Sequence, residues 1–139
     1  LQAHGVSKDR IIFASRMDLM DEHLARFKLA DLFLDTYPYG AHTTASDALW
    51  SGLPVLTLAG ESFASRVAAS LLTALKLPEL ITFSQRQYEE MAIKLGNDSG
   101  TLKKIRDRID VAKKTEDLFN SDSFVMNMEK LYKELLGFR

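Results

Sequence analysis

Cysteine is absent from all 139 residues, which excludes disulfides, thiolate nucleophiles and cysteine metal sites together and fits a reducing compartment. Three histidines without cysteine make a poor zinc set. No apolar run approaches the roughly 20 residues that span a bilayer, and the opening LQAHGVSKDR carries no signal-peptide pattern. No membrane partner and a cytoplasmic location are therefore expected. An excess of one charge is missing too: 18 Lys and Arg against 19 Asp and Glu leave a formal charge of -1. That balance gives no broad attraction to nucleic acid, so any anion has to be held locally. Also lacking are G-x-G-x-x-G after a strand, G-x-x-x-x-G-K-[ST], G-x-S-x-G and H-E-x-x-H, which weakens dinucleotide, P-loop, esterase and zinc-protease readings. No residue stands out as a general base or nucleophile. The chain starts at Leu1 rather than Met, as a piece cut from something longer would.

What is present is an alternation of short apolar runs with longer 3.6-period segments, the pattern of a parallel α/β sheet. RIIFAS (10–15), DLFLDT (31–36), PVLTLAG (54–60) and ELITF (79–83) read as four strands. Between them, MDEHLARFKLA (20–30) reads as a helix with Leu24, Phe27 and Leu29 inward, and TASDALWSG (44–52) as a short helix with Ala48 and Leu49 inward, stopped by Gly52. ESFASRVAASLLTALKL is helical with Phe63, Val67, Leu71 and Leu75 at four-residue steps. From about residue 84 to 139 the chain is helical, with Ser84 and either Ser121 or Asp122 as N-caps. One domain, residues 1–139, is the economical reading, with helices flanking a partial Rossmann-like parallel sheet. RIIFAS would lie at the cut edge of that sheet and favour self-association.

Ligands of such sheets bind beyond the carboxyl ends of the strands. That edge holds GAHTTASD, where His42, Thr43 and Thr44 meet a helix start. Bare helix amides and uncharged hydroxyls suit a diphosphate. Thr44 with Asp47 three residues on equally fits a capping-box variant, so that Thr43 faces a ligand while Thr44 caps. Asp47 complements the helix dipole or accepts from ribose hydroxyls. His23, in the first turn of its helix, either stacks on a base or sits on the surface. Arg66, one turn into GESFASR, reaches a phosphate or pairs with an acidic neighbour. Tyr37 and Tyr39 around Pro38 make an aromatic turn that lines a sugar or acceptor pocket, or simply packs.

The elements DEH, HTT with Asp47 and LW-x-G-x-P behind it, and GE-x-x-ASRVAAS, in that order, resemble the C-terminal catalytic region of the O-linked N-acetylglucosamine (O-GlcNAc) transferase and SPINDLY family. The similarity continues through YEEMAIKLG and LKKIRDRI to LFNSDSFVMNMEKLYKELL and so covers nearly the whole chain. The resemblance implies a GT-B glycosyltransferase, two Rossmann-like lobes that move GlcNAc from UDP-GlcNAc to Ser or Thr of a protein acceptor without a catalytic metal or other cofactor. It makes this chain the carboxyl-terminal part of the UDP-holding lobe. His23 is then the histidine near the uracil, His42, Thr43 and Thr44 the diphosphate-binding residues, and Asp47 the acid on the ribose, with Arg66 and Tyr39 as candidate additions. Met20 stands where animal members carry a nucleotide-contacting lysine. TYPYG looks like the SPINDLY branch, which uses a GDP-fucose donor, whereas His42 favours UDP-GlcNAc. The family's catalytic lysine, first lobe and tetratricopeptide repeats are expected upstream of Leu1, so this piece is expected to be inactive alone. The alternatives are a non-catalytic Rossmann-like interaction module, or a transferase taking a GDP-sugar or UDP-glucose.

Overall fold

In a computed structural model that describes residues 2–137, the alternation becomes three parallel strands and, among the described residues, six α-helices. The strands β1 (Phe33–Leu34), β2 (Val55–Leu58) and β3 (Ile81–Thr82) lie in the order β1-β2-β3. Phe33 pairs with Val55, and Thr57 with Ile81. Central β2 is buried along Val55, Leu56 and Thr57, as a strand covered on both faces should be. The helices are α1 (Met20–Phe27), α2 (Thr43–Trp50), α3 (Val67–Ala74), α4 (Gln85–Gly96), α5 (Ser99–Thr115) and α6 (Ser121–Leu135). Of these, α2, α3 and α4 pack directly on β2.

The core joins Leu49 of α2, Leu53, Val55 of β2, Leu72 and Leu75 around the end of α3, Leu77, Leu80 and Ile109 of α5. Each such side chain contributes roughly 1.5–3 kcal/mol on burial. Helix α2 is stopped as its sequence requires. Gly52 takes φ +85, Leu53 N–H donates to the Ala48 carbonyl at 2.8 Å and Gly52 N–H to the Leu49 carbonyl at 3.0 Å. These are the two bonds of a Schellman motif, whose left-handed position glycine fills without a Cβ penalty.

Three expectations are corrected. Residues 10–15 form no strand: Arg10 closes a 3-10 turn, Lys8–Arg10, and Ile12 and Phe13 are 87% and 91% exposed. A strand needs a neighbour for its amides and carbonyls, and among the described residues β1 pairs only with β2, so the sheet has three strands and its edges are β1 and β3. Leu29 is 89% exposed because α1 ends at Phe27, three residues short of the expected end at Ala30. Phe63 is also outside the core, at 80% exposure. A 3-10 turn, Phe63–Ser65, precedes α3, so the helical frame starts at Val67 and turns Ala68, Leu72 and Leu75 inward.

Candidate functional site

Buried polar groups are costly unless paired, so their location marks where a fold keeps polarity for a purpose. Among the described residues they are Asp35, Thr57, Ser65 and Thr82. Asp35 directly follows β1, Thr57 and Thr82 sit in the last half of β2 and β3, and Ser65 lies in the turn beyond β2. All four belong to the carboxyl edge of the sheet, under the loops that carry the sequence candidates. The pairing register explains the first contact: with Leu34 opposite Leu56, Asp35 comes beside Thr57. Its carboxylate accepts from the Thr57 hydroxyl at 2.7 Å. It also accepts from the Thr36 amide at 2.8 Å and the Ala41 amide at 2.7 Å. Thr82 in turn donates to the Thr57 carbonyl at 2.9 Å.

Two loops are stitched together above this ladder. Gly40 N–H donates to the Ala64 carbonyl at 3.0 Å. A Cβ on Gly40 would stand 3.1 Å from both that oxygen and Asp35 Oδ2, so only glycine fits this approach easily. His42 Nε2 lies 3.4 Å from the same carbonyl. A carbonyl only accepts, so Nε2 carries the proton in this contact. The imidazole stacks on Tyr39, centroids 5.2 Å apart, and meets Phe63 edge-on at 5.7 Å. Phe63 thus serves this loop rather than the core.

His42 is the N-cap of α2, and no side chain caps the helix. The expected box of Thr44 with Asp47 does not form. Asp47 turns instead to His23 of α1, Oδ2 to Nε2 at 3.3 Å, with both side chains 24% exposed. Phe27 holds that imidazole edge-on at 5.2 Å. Thr43 and Thr44 are exposed, and the first helical amides have no intrahelical acceptor. The positive end of α2 therefore faces outward beside two free hydroxyls.

The structure brings together His23 with Asp47, and His42 with Tyr39. Arg66 stands apart, exposed at the start of α3, on a hollow of about 370 Å³ shared with Ala59, Ser70, Thr73 and Phe83. It makes no ion pair among the described residues. Larger hollows of about 620 and 660 Å³ flank Trp50 at the opposite end of α2. Among the described residues no three His, Asp or Glu side chains converge as a metal site, and no helix is long and apolar enough to cross a membrane.

Sequence reasoning missed Asp35, although an acid ending the apolar run LFLD was its signal. It also missed Tyr88 of α4, whose hydroxyl donates to the Asp35 carbonyl at 2.8 Å. Burial, and then the charge of Asp35, push that phenol above its ordinary value of 10.0.

Residues 1–128 match the model of the family described as glycosyl transferase family 41. The chain is 38% identical over 131 residues to the UDP-N-acetylglucosamine–peptide N-acetylglucosaminyltransferase of Caenorhabditis elegans, covering 94% of this chain and 11% of that protein. It is equally 38% identical over 131 residues to SEC of Arabidopsis thaliana, a probable enzyme of the same name, covering 94% and 13%. Among solved structures, a variant of the Thermobaculum terrenum O-GlcNAc transferase superposes with a TM-score of 0.86 at 35% identity, over 96% of this chain and 25% of that one. The chain thus spans a quarter or less of each of these relatives.

Proposed function

The chain belongs to glycosyl transferase family 41, and from that membership we propose that it is the UDP-sugar-binding portion of a cytoplasmic protein O-GlcNAc transferase of GT-B architecture. The observation that carries this reading is the open N-terminus of α2 between two fixed histidines. A diphosphate laid there meets the helix amides, the Thr43 and Thr44 hydroxyls and the His42 ring, with no carboxylate competing for the amides. Asp47 keeps one carboxylate oxygen clear of His23 and accepts from the ribose. His23, braced by Phe27, offers its face to the uracil. Tyr39, stacked on His42, and exposed Phe63 border the far side of the diphosphate.

Transfer puts an acceptor Ser or Thr oxygen on the anomeric carbon while the bond to the diphosphate breaks, UDP leaves with the electron pair, and the hydroxyl proton ends on the departing diphosphate or on solvent. Charge then grows on the diphosphate oxygens, and donors already aimed at that position stabilise it without reorganisation. The α2 amides and the two threonines supply this part, and His42, tied to the Ala64 carbonyl, holds the loop beside them. A cation on the leaving group and the groups that seat the protein acceptor come from residues outside this chain, and no metal or further cofactor enters the proposal.

Calorimetric titration with UDP tests the assignment. Saturable binding by the chain is expected, weakened at least tenfold, about 1.4 kcal/mol, by Thr43→Ala and by His42→Ala. The chain alone is expected to transfer no GlcNAc to a peptide. Undiminished UDP binding by both variants, or none by the parent chain, sinks the assignment.

A further inference from the structure

The loop that presents His42 has no regular secondary structure of its own between Leu34 and Thr43. Something must fix it, since loop backbone without a partner is mobile and a displacement of about 1 Å at a reacting group is costly. The carboxylate of Asp35 does this from below. One oxygen, Oδ1, takes the amide of Thr36 at the start of the loop and that of Ala41 at its end, closing residues 36–41 into a ring. The other, Oδ2, takes the Thr57 hydroxyl of the central strand and so bolts the ring to the sheet. Ala41 immediately precedes His42, and the next residue opens α2. Asp35 itself is 7% exposed, and even a Cβ on Gly40 would stand only 3.1 Å from its Oδ2, so the carboxylate lies beneath the loop rather than open to a ligand.

A buried carboxylate beneath an anion site is an odd choice electrostatically, because its charge repels a diphosphate. Its donor set explains the choice. Three donors on one short side chain, two of them amides five residues apart in sequence, require an acceptor with two oxygens and several lone pairs, which aspartate supplies and serine or threonine does not. Charge-assisted bonds to amides are also roughly twice as strong as neutral ones. The side chain gains loop order at the expense of some repulsion.

We propose that Asp35 is a positioning residue of the diphosphate site, holding His42 and the first turn of α2 in register through the amides of Thr36 and Ala41 and the hydroxyl of Thr57. This rests on the UDP reading above and adds a residue that the ligand never meets. It separates two effects a carboxylate has. As a charge alone, Asp35 weakens UDP binding, and Asp35→Asn would tighten it. As a positioner it strengthens binding. Asparagine keeps the geometry, its Oδ1 accepting from both amides and its Nδ2 donating to the Thr57 oxygen, whereas alanine leaves three donors empty.

The test titrates the chain with UDP and, separately, with uridine, which lacks the phosphates and meets only the His23 and Asp47 end. Asp35→Ala should lose at least tenfold in UDP affinity while uridine affinity stays within twofold. Asp35→Asn should rescue UDP binding to at least within threefold of the parent. Folded Asp35→Ala that binds UDP like the parent overturns the proposal, and so does an equal loss for UDP and uridine, the mark of a merely structural role. Where Asp35→Ala does not fold, Thr57→Val, which removes one donor at nearly constant volume, and Thr57→Ser, which restores it, are judged by the same UDP-to-uridine ratio. Parent binding that depends on Thr43 but not on Asp35 refutes this proposal alone; no parent binding refutes the UDP reading and this proposal with it.

Discussion

Helices α2 and α4 each follow a strand of the same parallel sheet, yet they begin in opposite ways. At α4, Ser84 Oγ accepts from the Gln87 amide at 3.2 Å, and Gln87 Oε1 accepts from the Phe83 amide at 3.1 Å, a reciprocal seal close to a capping box. Helices α5 and α6 are sealed by Asp98 and Asn120 in the same spirit. At α2 the N-cap is a histidine and the amides stay open. An open terminus forfeits about 1 kcal/mol of capping, and α2 affords this because Ala45, Ala48 and Leu49 are wholly buried. Among the residues of α4 only Leu95 is buried. The difference teaches where stability is placed: α4 is held at its end, α2 along its side, and the end left free is the one with work to do.

The strongest way to break the contrast is to remove what holds α2. Leu49→Ala deletes a side chain with no exposure in the central cluster and is expected to cost roughly 2–5 kcal/mol. Thermal or denaturant unfolding measures this, and a loss below 1 kcal/mol would mean that α2 is not anchored by its buried face.

A smaller effect separates the two ends directly. Ser84→Ala removes a formed cap bond and is expected to cost about 1 kcal/mol, leaving UDP affinity unchanged. Thr44→Ala, the matched change at the open end, removes no cap bond and should stay within about 0.5 kcal/mol in unfolding. Equal costs for the two would show that Thr44 caps α2 in solution after all.

The regions differ as well in how far their sequence discloses them. The buried strand PVLTL and the α2 helix with its glycine stop are legible because local propensity, burial pattern and turn chemistry agree there. Ser84 is legible for the same reason. RIIFAS has the composition of a strand, but strand identity needs a partner, which composition does not carry. Phe63 misleads because a 3-10 turn resets the helical phase by a few residues. At the candidate site, the sequence picks out His42, Thr43 and Thr44 by residue type at a strand-to-helix junction. It does not reveal that Asp47 prefers His23, a residue 24 positions away, to its own helix terminus. Nor does it reveal Asp35, because a carboxylate that closes a ring of backbone amides is defined by loop geometry, and any acid after a strand has the same spelling.

The weakest of the expected effects concerns a bond by which the sealed helix reaches the loop of the open one. Tyr88 of α4 donates its hydroxyl to the Asp35 carbonyl, and burial, followed by the Asp35 charge, raises its pKa in the folded protein above the ordinary 10.0. The unfolded chain therefore gives up the phenolic proton at lower pH than the folded one. The unfolded state then binds fewer protons, and stability falls as pH rises. The contribution is complete below about pH 10 and is lost as pH climbs through the raised folded value. Tyr88→Phe removes both the donor and the titration. The stability difference between parent and variant should thus be constant from neutral pH to about 9 and shrink above 10, by less than the Ser84 cap contributes, since the ring is only partly shielded from water. Denaturant unfolding at pH 7, 9 and 10.5 reads that difference. A gap that widens with pH would mean that the hydroxyl is not anchored to Asp35, and the two helices would then be independent at the site.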